Sequence, residues 1–226
     1  MKRFLCIVLL VAWGVPVVWS IDGLSSTLCL VYRGTIPPGA LTMTGVAIDS
    51  AETNGMFVIS DIDGGLMPIG SSALLWDSAQ QQYVSENKLP FGWLPGTNII
   101  YRGRGLFLKA PTGVTSDVQF GYGGLIPVNL GSTSTVFSLV TNLTMITYPY
   151  PVSIPWTNTT LSQVSASGAS IYLWDDDTQS YDTYGKTRGG WGAATNLVLV
   201  PGVGLYFLNN TTNPLSWTEE RPYTWP

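Results

Sequence analysis

The side chains able to do chemistry are few, and the most suggestive are two acidic clusters. Asp175-Asp176-Asp177 and Asp61-Ile62-Asp63-Gly64-Gly65 set carboxylates beside turn-forming residues, a combination that suits a hard cation such as calcium. Neither run continues to the glutamate that closes an EF-hand loop, so both read as solvated turns and no cofactor is expected. The 226-residue chain contains no histidine, which removes the usual general base of nucleophilic triads and the commonest zinc ligand. A glycosidase working with carboxylates alone would need Asp61 or Asp63 opposite a second acid, and nothing in the spacing pairs them. Gly103-Arg104-Gly105 leads into a strand pattern rather than a helix, which excludes a phosphate-cradling loop. The chain reads as a protein without catalysis.

Aromatic residues offer a second kind of chemistry. Trp93, Trp191, Trp174 and Tyr181 are candidates for stacking on sugar rings, with neighbouring Asp and Asn accepting hydroxyl hydrogen bonds. Trp93 and Trp191 stand out because each follows a glycine in a loop. The competing structural expectation is a hairpin in which Trp174 ends one strand, Asp175 to Gln179 turn, and Tyr181 begins the return beside it. Loop tryptophans also plug the ends of β cores.

These residues belong to an internal repeat. Leu75-Trp76-Asp77 aligns with Leu173-Trp174-Asp175 at an offset of 98, as do Tyr83 with Tyr181 and Gly92-Trp93 with Gly190-Trp191. At an offset of 99, Gly103-Arg104-Gly105-Leu106-Phe107 matches Gly202-Val203-Gly204-Leu205-Tyr206. Upstream, Leu41-Thr42-Met43 matches Leu143-Thr144-Met145 at 102, and Val31-Tyr32 matches Val136-Phe137 at 105. The expected organisation is a signal peptide over 1–20, a first β repeat over 21–128 and a second over 129–226. What recurs is aromatic, glycine and turn chemistry, whereas Asp61 and Asp63 have no acidic counterparts.

Strand-length apolar runs punctuate both copies: residues 55–60, 98–101, 169–174 and 196–200. The best helical segment is one or two turns near Thr160-Leu161-Ser162-Gln163-Val164, capped from Asn158 to Thr160. With 25 Gly and 15 Pro as turn punctuation, the expectation is an all-β protein of two tandem homologous β-sandwich or barrel-like repeats with little helix. Pairing of the copies into one continuous sheet system stays open at this point.

Lys2 and Arg3 followed by apolar Phe4 to Val18 predict export, with cleavage before Ile21. Residues 1–20 hold two of the ten basic and none of the fourteen acidic residues, so their removal takes the formal charge from −4 to −6. That balance excludes nucleic acid as a partner. Only 11% of residues are charged, so little repulsion opposes self-association into an oligomer or polymer. After cleavage Cys29 is the sole cysteine, and its apolar neighbours favour burial over a disulfide. Leu24, Cys29, Leu30 and Tyr32 are candidate assembly contacts as a strand donated to a neighbour. Arg102 and Arg104 on one side, with Asp175 and Asp177 on the other, are candidates for ion pairs between subunits. Sequons occur at Asn142, Asn158, Asn209 and Asn210.

In its Leu-Trp-Asp, Tyr, Gly-Trp and Gly-x-Gly-aromatic pattern the chain resembles repeats of uncharacterised secreted or surface proteins of bacteria. The resemblance implies export and β architecture and brings no activity with it. The function expected is a secreted structural or adhesive protein, a subunit of an extracellular filament, sheath or surface layer. The alternative is a carbohydrate-binding adhesin that recognises a surface glycan.

Overall fold

A computed structural model describes residues 29–51, 55–127 and 134–224. The signal segment and Leu24 lie outside the described residues, as does the side chain of Cys29. The first half runs β1 (Cys29–Ile36), β2 (Leu41–Gly45), β3 (Met56–Phe57), α1 (Ile59–Asp63), β4 (Ser72–Asp77), β5 (Gln82–Leu89), β6 (Gly92–Leu94), β7 (Ile100–Tyr101), β8 (Gly105–Lys109) and β9 (Val118–Leu125). The second runs β10 (Ser134–Leu139), β11 (Asn142–Thr147), β12 (Ile154–Pro155), α2 (Thr160–Val164), β13 (Ser170–Asp175), β14 (Ser180–Gly185), β15 (Val198–Leu199), β16 (Gly204–Asn209) and β17 (Leu215–Glu220). The protein is all-β.

Every pairing is antiparallel, and the scheme of the first half recurs in the second. A β2-β8-β4-β5-β6 sheet stands beside β1-β9 and β3-β7 ribbons; a β11-β16-β13-β14 sheet stands beside β10-β17 and β12-β15 ribbons. The difference is β6, which pairs with the end of β5 and whose place in the second half is taken by a single Thr187–Gly190 bridge.

Side-chain alternation explains how the halves join. On β8, Leu106 and Leu108 point into the first core while Phe107 points the other way. On β16, Leu205 and Phe207 enter the second core while Tyr206 turns outward from it. Both outward residues meet Met43 and Met145 in a third apolar cluster between the halves. Two cores and one shared layer therefore result, and β8 and β16 read as unbroken apolar runs because both of their faces are covered.

Three local expectations need correction. The run over 98–101 is a strand only at Ile100–Tyr101. Residues 55–60 form a strand only over Met56–Phe57, because Asp61 accepts the Val58 N–H at 2.9 Å and starts α1 at Ile59. The run over 196–200 pairs only at Val198–Leu199, its start lying in a 3₁₀ turn. The expected helix falls on Thr160–Val164, where the Thr159 hydroxyl accepts the Ser162 N–H.

Candidate functional site

The repeated motif residues meet in a reciprocal contact between the halves. Trp76 Nε1 donates to the Leu143 carbonyl at 3.0 Å, and Trp174 Nε1 donates to the Leu41 carbonyl at 2.9 Å. Gln81 clasps Leu143 through both its amide atoms, and Gln179 clasps Leu41 in the same way. Both glutamines end their turns with positive φ, 52° and 51°, and both turns are closed by an aspartate. Asp77 accepts the N–H groups of Ala79 and Gln80, while Asp175 accepts those of Asp177 and Thr178. The hairpin register is the expected one, Trp76 opposite Tyr83 and Trp174 opposite Tyr181. Ring packing crosses the same boundary: Trp76 stands edge-on to Tyr206, and Trp174 edge-on to Phe107.

The Gly-x-Gly segments form the other part of this seam. Gly45 N–H donates to Gly202 O at 2.8 Å and Thr147 N–H to Gly103 O at 2.9 Å, with backbone bridges Thr44–Val203 and Arg104–Ile146 beside them. A Cβ on Gly202 would lie 2.3 Å from the Tyr32 ring, and one on Gly103 would lie 2.4 Å from the Phe137 ring. Each of these contacts has its mate with the halves exchanged, so the seam is organised about an internal pseudo-twofold axis.

The four residues expected to bind sugars are placed within this architecture. Trp93 and Trp191 are buried plugs. Trp93 donates to Asp63, and Trp191 donates to the Ser162 carbonyl and stacks edge-on to Trp156. Trp174 belongs to the seam, and Tyr181 leans on Trp174 and Tyr206. A lysine missed in the sequence accompanies each plug: Lys88 pairs with Asp63, and Lys186 donates to the carbonyls of Ser162 and Ser165 at 2.7 Å. Their common place four residues before Gly-Trp was the legible signal.

Most of the described assembly candidates are engaged within the chain. Leu30 and Tyr32 lie on β1, whose ladder runs from Cys29 opposite Leu125 to Ile36 opposite Val118, so this strand completes its own sheet. Arg102 and Arg104 flank Gly103 rather than sharing a strand face. Arg102 pairs with Asp49 at 2.9 Å, and Arg104 donates to Ile99 O and Trp76 O. Asp175 holds its turn and Asp177 is exposed, and neither is ion-paired with either arginine among the described residues. Asn209 is buried and bonded to Val140 O and Asn213 O, which closes that sequon to modification in the folded protein.

Two buried acids are likewise engaged within the chain. Asp63 accepts from Met67 N–H, Lys88 and Trp93; Glu219 accepts from Thr160 and Trp217. No group of three metal-ligating side chains occurs among the described residues.

Among the described residues, an open groove of about 1050 Å³ lies beside the seam. It runs between the halves, with Trp76, Asn98, Tyr101, Arg102 and Arg104 from the first and Phe137 from the second among its walls. No family model, curated protein or solved structure matches the chain.

Burial raises the phenol pKa values of Tyr122, Tyr181 and Tyr206, and the close Tyr83 hydroxyl adds to the shift of the latter two. Tyr206 Oη donates to Tyr83 Oη at 2.6 Å. An unfolded phenol ionises near pH ~10, so the stability these groups contribute is fully present below that pH and is lost as the pH rises above it. The tyrosinate absorbance of these three residues should therefore appear late and together with unfolding in an alkaline titration. A smooth titration of all tyrosines near their free value, with the fold intact, would contradict this placement.

Proposed function

We propose that this is an exported, non-catalytic structural and adhesive protein, a rigid two-part unit that associates with further copies of itself. The observation that carries the reading is the free edge of β14. Lys186 directs its N–H to Ala169 O at 2.8 Å, so by the two-residue alternation of a strand Tyr181, Thr183 and Gly185 direct theirs away from β13. β14 is exposed along nearly its whole length and pairs on one side only. Its counterpart β5 is covered by β6 at Asn87–Leu89 and is free before that. The pseudo-twofold axis thus puts one open strand edge on each half, and unpaired edges invite strand addition. Low charge removes the repulsion that would oppose it.

Asp61 caps α1, Asp63 holds Lys88 and Trp93, and the motif tryptophans pack in the two cores and the seam, which supports a scaffold. The test is assembly of the mature chain, followed by sedimentation and electron microscopy. Thr183→Pro removes an outward N–H and no ladder bond to β13, so it should cut association tenfold or more while leaving the circular dichroism of the monomer unchanged. A wild-type chain that stays monomeric at high concentration would sink the reading.

The groove supports a second element of the same reading, recognition of a surface glycan, since binding sites favour the interface between two folded units.

A further inference from the structure

The pseudo-twofold axis provides an internal control for the groove. What builds the reciprocal part of the seam occurs twice, once on each side. Gly103 and Gly202, Trp76 and Trp174, and Gln81 and Gln179 pass that criterion. Tyr101, Arg102 and Arg104 fail it, because the matching positions hold Val200, Pro201 and Val203. Joining the halves therefore does not require an arginine at 104, since Val203 makes the equivalent bridge to Thr44 that Arg104 makes to Ile146.

Arg104 is a half-buried cation held by two neutral carbonyls, Ile99 O at 3.0 Å and Trp76 O at 3.2 Å. No carboxylate forms an ion pair with it among the described residues. Asp77, the carboxylate that acts on it most strongly, has an oxygen committed to its own turn. A guanidinium carries five N–H donors, so two carbonyl contacts leave capacity for an anion. Beside it Tyr101 is 53% exposed and offers a ring face, and Asn98, Asp49 and Thr135 supply polar groups along the same walls. The carboxylates of Asp49 and Asp77 also border the groove, which disfavours a run of closely spaced charges and tolerates carboxylates separated by hydroxyl-bearing sugar rings.

We propose that the groove between the halves binds an acidic saccharide, its carboxylate on Arg104 and a sugar face on Tyr101. This rests on the adhesive part of the function proposed above and names its ligand class. Arg104 and a planar aromatic provide charge-assisted recognition and stacking, and the open groove accommodates a chain passing through.

Calorimetry or fluorescence titration with oligogalacturonate, a neutral cello-oligosaccharide and polyglutamate tests it on the full mature protein. Oligogalacturonate should bind in preference to both others. Arg104→Gln and Tyr101→Ala should each weaken it tenfold or more, with Arg188→Gln, at an exposed site in the second half, unchanged. Arg104→Lys keeps the charge and should retain the preference for the acidic over the neutral sugar, which separates recognition from any loosening of the seam read by thermal unfolding. Equal binding of the neutral sugar, equal binding of polyglutamate, or no binding of oligogalacturonate would each overturn the proposal. Sedimentation of the same samples distinguishes this failure from failure of self-association, since Thr183→Pro acts on assembly alone.

Discussion

Gly202→Ala should lower the unfolding free energy by roughly 3 kcal/mol, combining about 1–2 kcal/mol for a side chain at left-handed φ with about 1–3 kcal/mol for overpacking. Gly202 has φ +80°, and its added Cβ would lie 2.3 Å from Tyr32 Cε2 and 2.4 Å from Cζ. The ring cannot simply swing away, because Tyr32 is packed against Phe120 and Tyr122 in the first core. Gly65 supplies the comparison: its φ is +76° but nothing lies within 4 Å of its added Cβ. Gly65→Ala should therefore cost only the backbone part, about 1–2 kcal/mol. Urea unfolding midpoints of the two variants measure the difference, and equal costs would show that the seam is looser at Tyr32 than its geometry indicates.

The second large effect belongs to Asp63. Its carboxylate is 5% exposed and gathers three donors, the Lys88 ammonium, Met67 N–H at 2.7 Å and Trp93 Nε1 at 3.1 Å. Asp63→Ala strands a lysine whose own side chain is only 16% exposed. Breaking one member of a buried pair typically costs about 3–5 kcal/mol, and a loss in that range is expected, with Trp93 fluorescence shifting as its N–H partner disappears. The matching lysine of the second half depends on carbonyls instead. Ser165→Ala, which leaves the Ser162 and Ser165 carbonyls in place, should consequently cost far less than Asp63→Ala. Comparable losses would refute the distinction.

Much of this was legible in the sequence at the level of elements. Trp76 with Tyr83 and Trp174 with Tyr181 were readable as cross-strand pairs because a hairpin is local, and the turn aspartates announced themselves by type. The α2 segment was readable from its cap. What periodicity could not supply was the destination of side chains across a long sequence separation. Gly103 and Gly202 read as turn glycines, and their positive φ agrees; that each also lies under a ring of the opposite half depends on docking, which no local pattern encodes. Gln81 and Gln179 looked like ordinary turn polars, yet they close the clasp on Leu143 and Leu41. Val58 to Ser60 misled for a different reason: β-branched residues favour a strand, but one carboxylate at Asp61 satisfying the Val58 N–H was enough to turn the chain. The groove was invisible in the sequence because its walls come from both halves.

The covalent joining of the halves has a consequence for how such a surface can change. In a twofold dimer of identical chains each substitution is made twice, so a residue that improves one face is imposed on the other. Within a single chain the two faces are separate variables. Arg104 can answer to a ligand while Val203, at the mirrored place, answers only to packing, and the axis that relates them constrains the seam without constraining its surroundings.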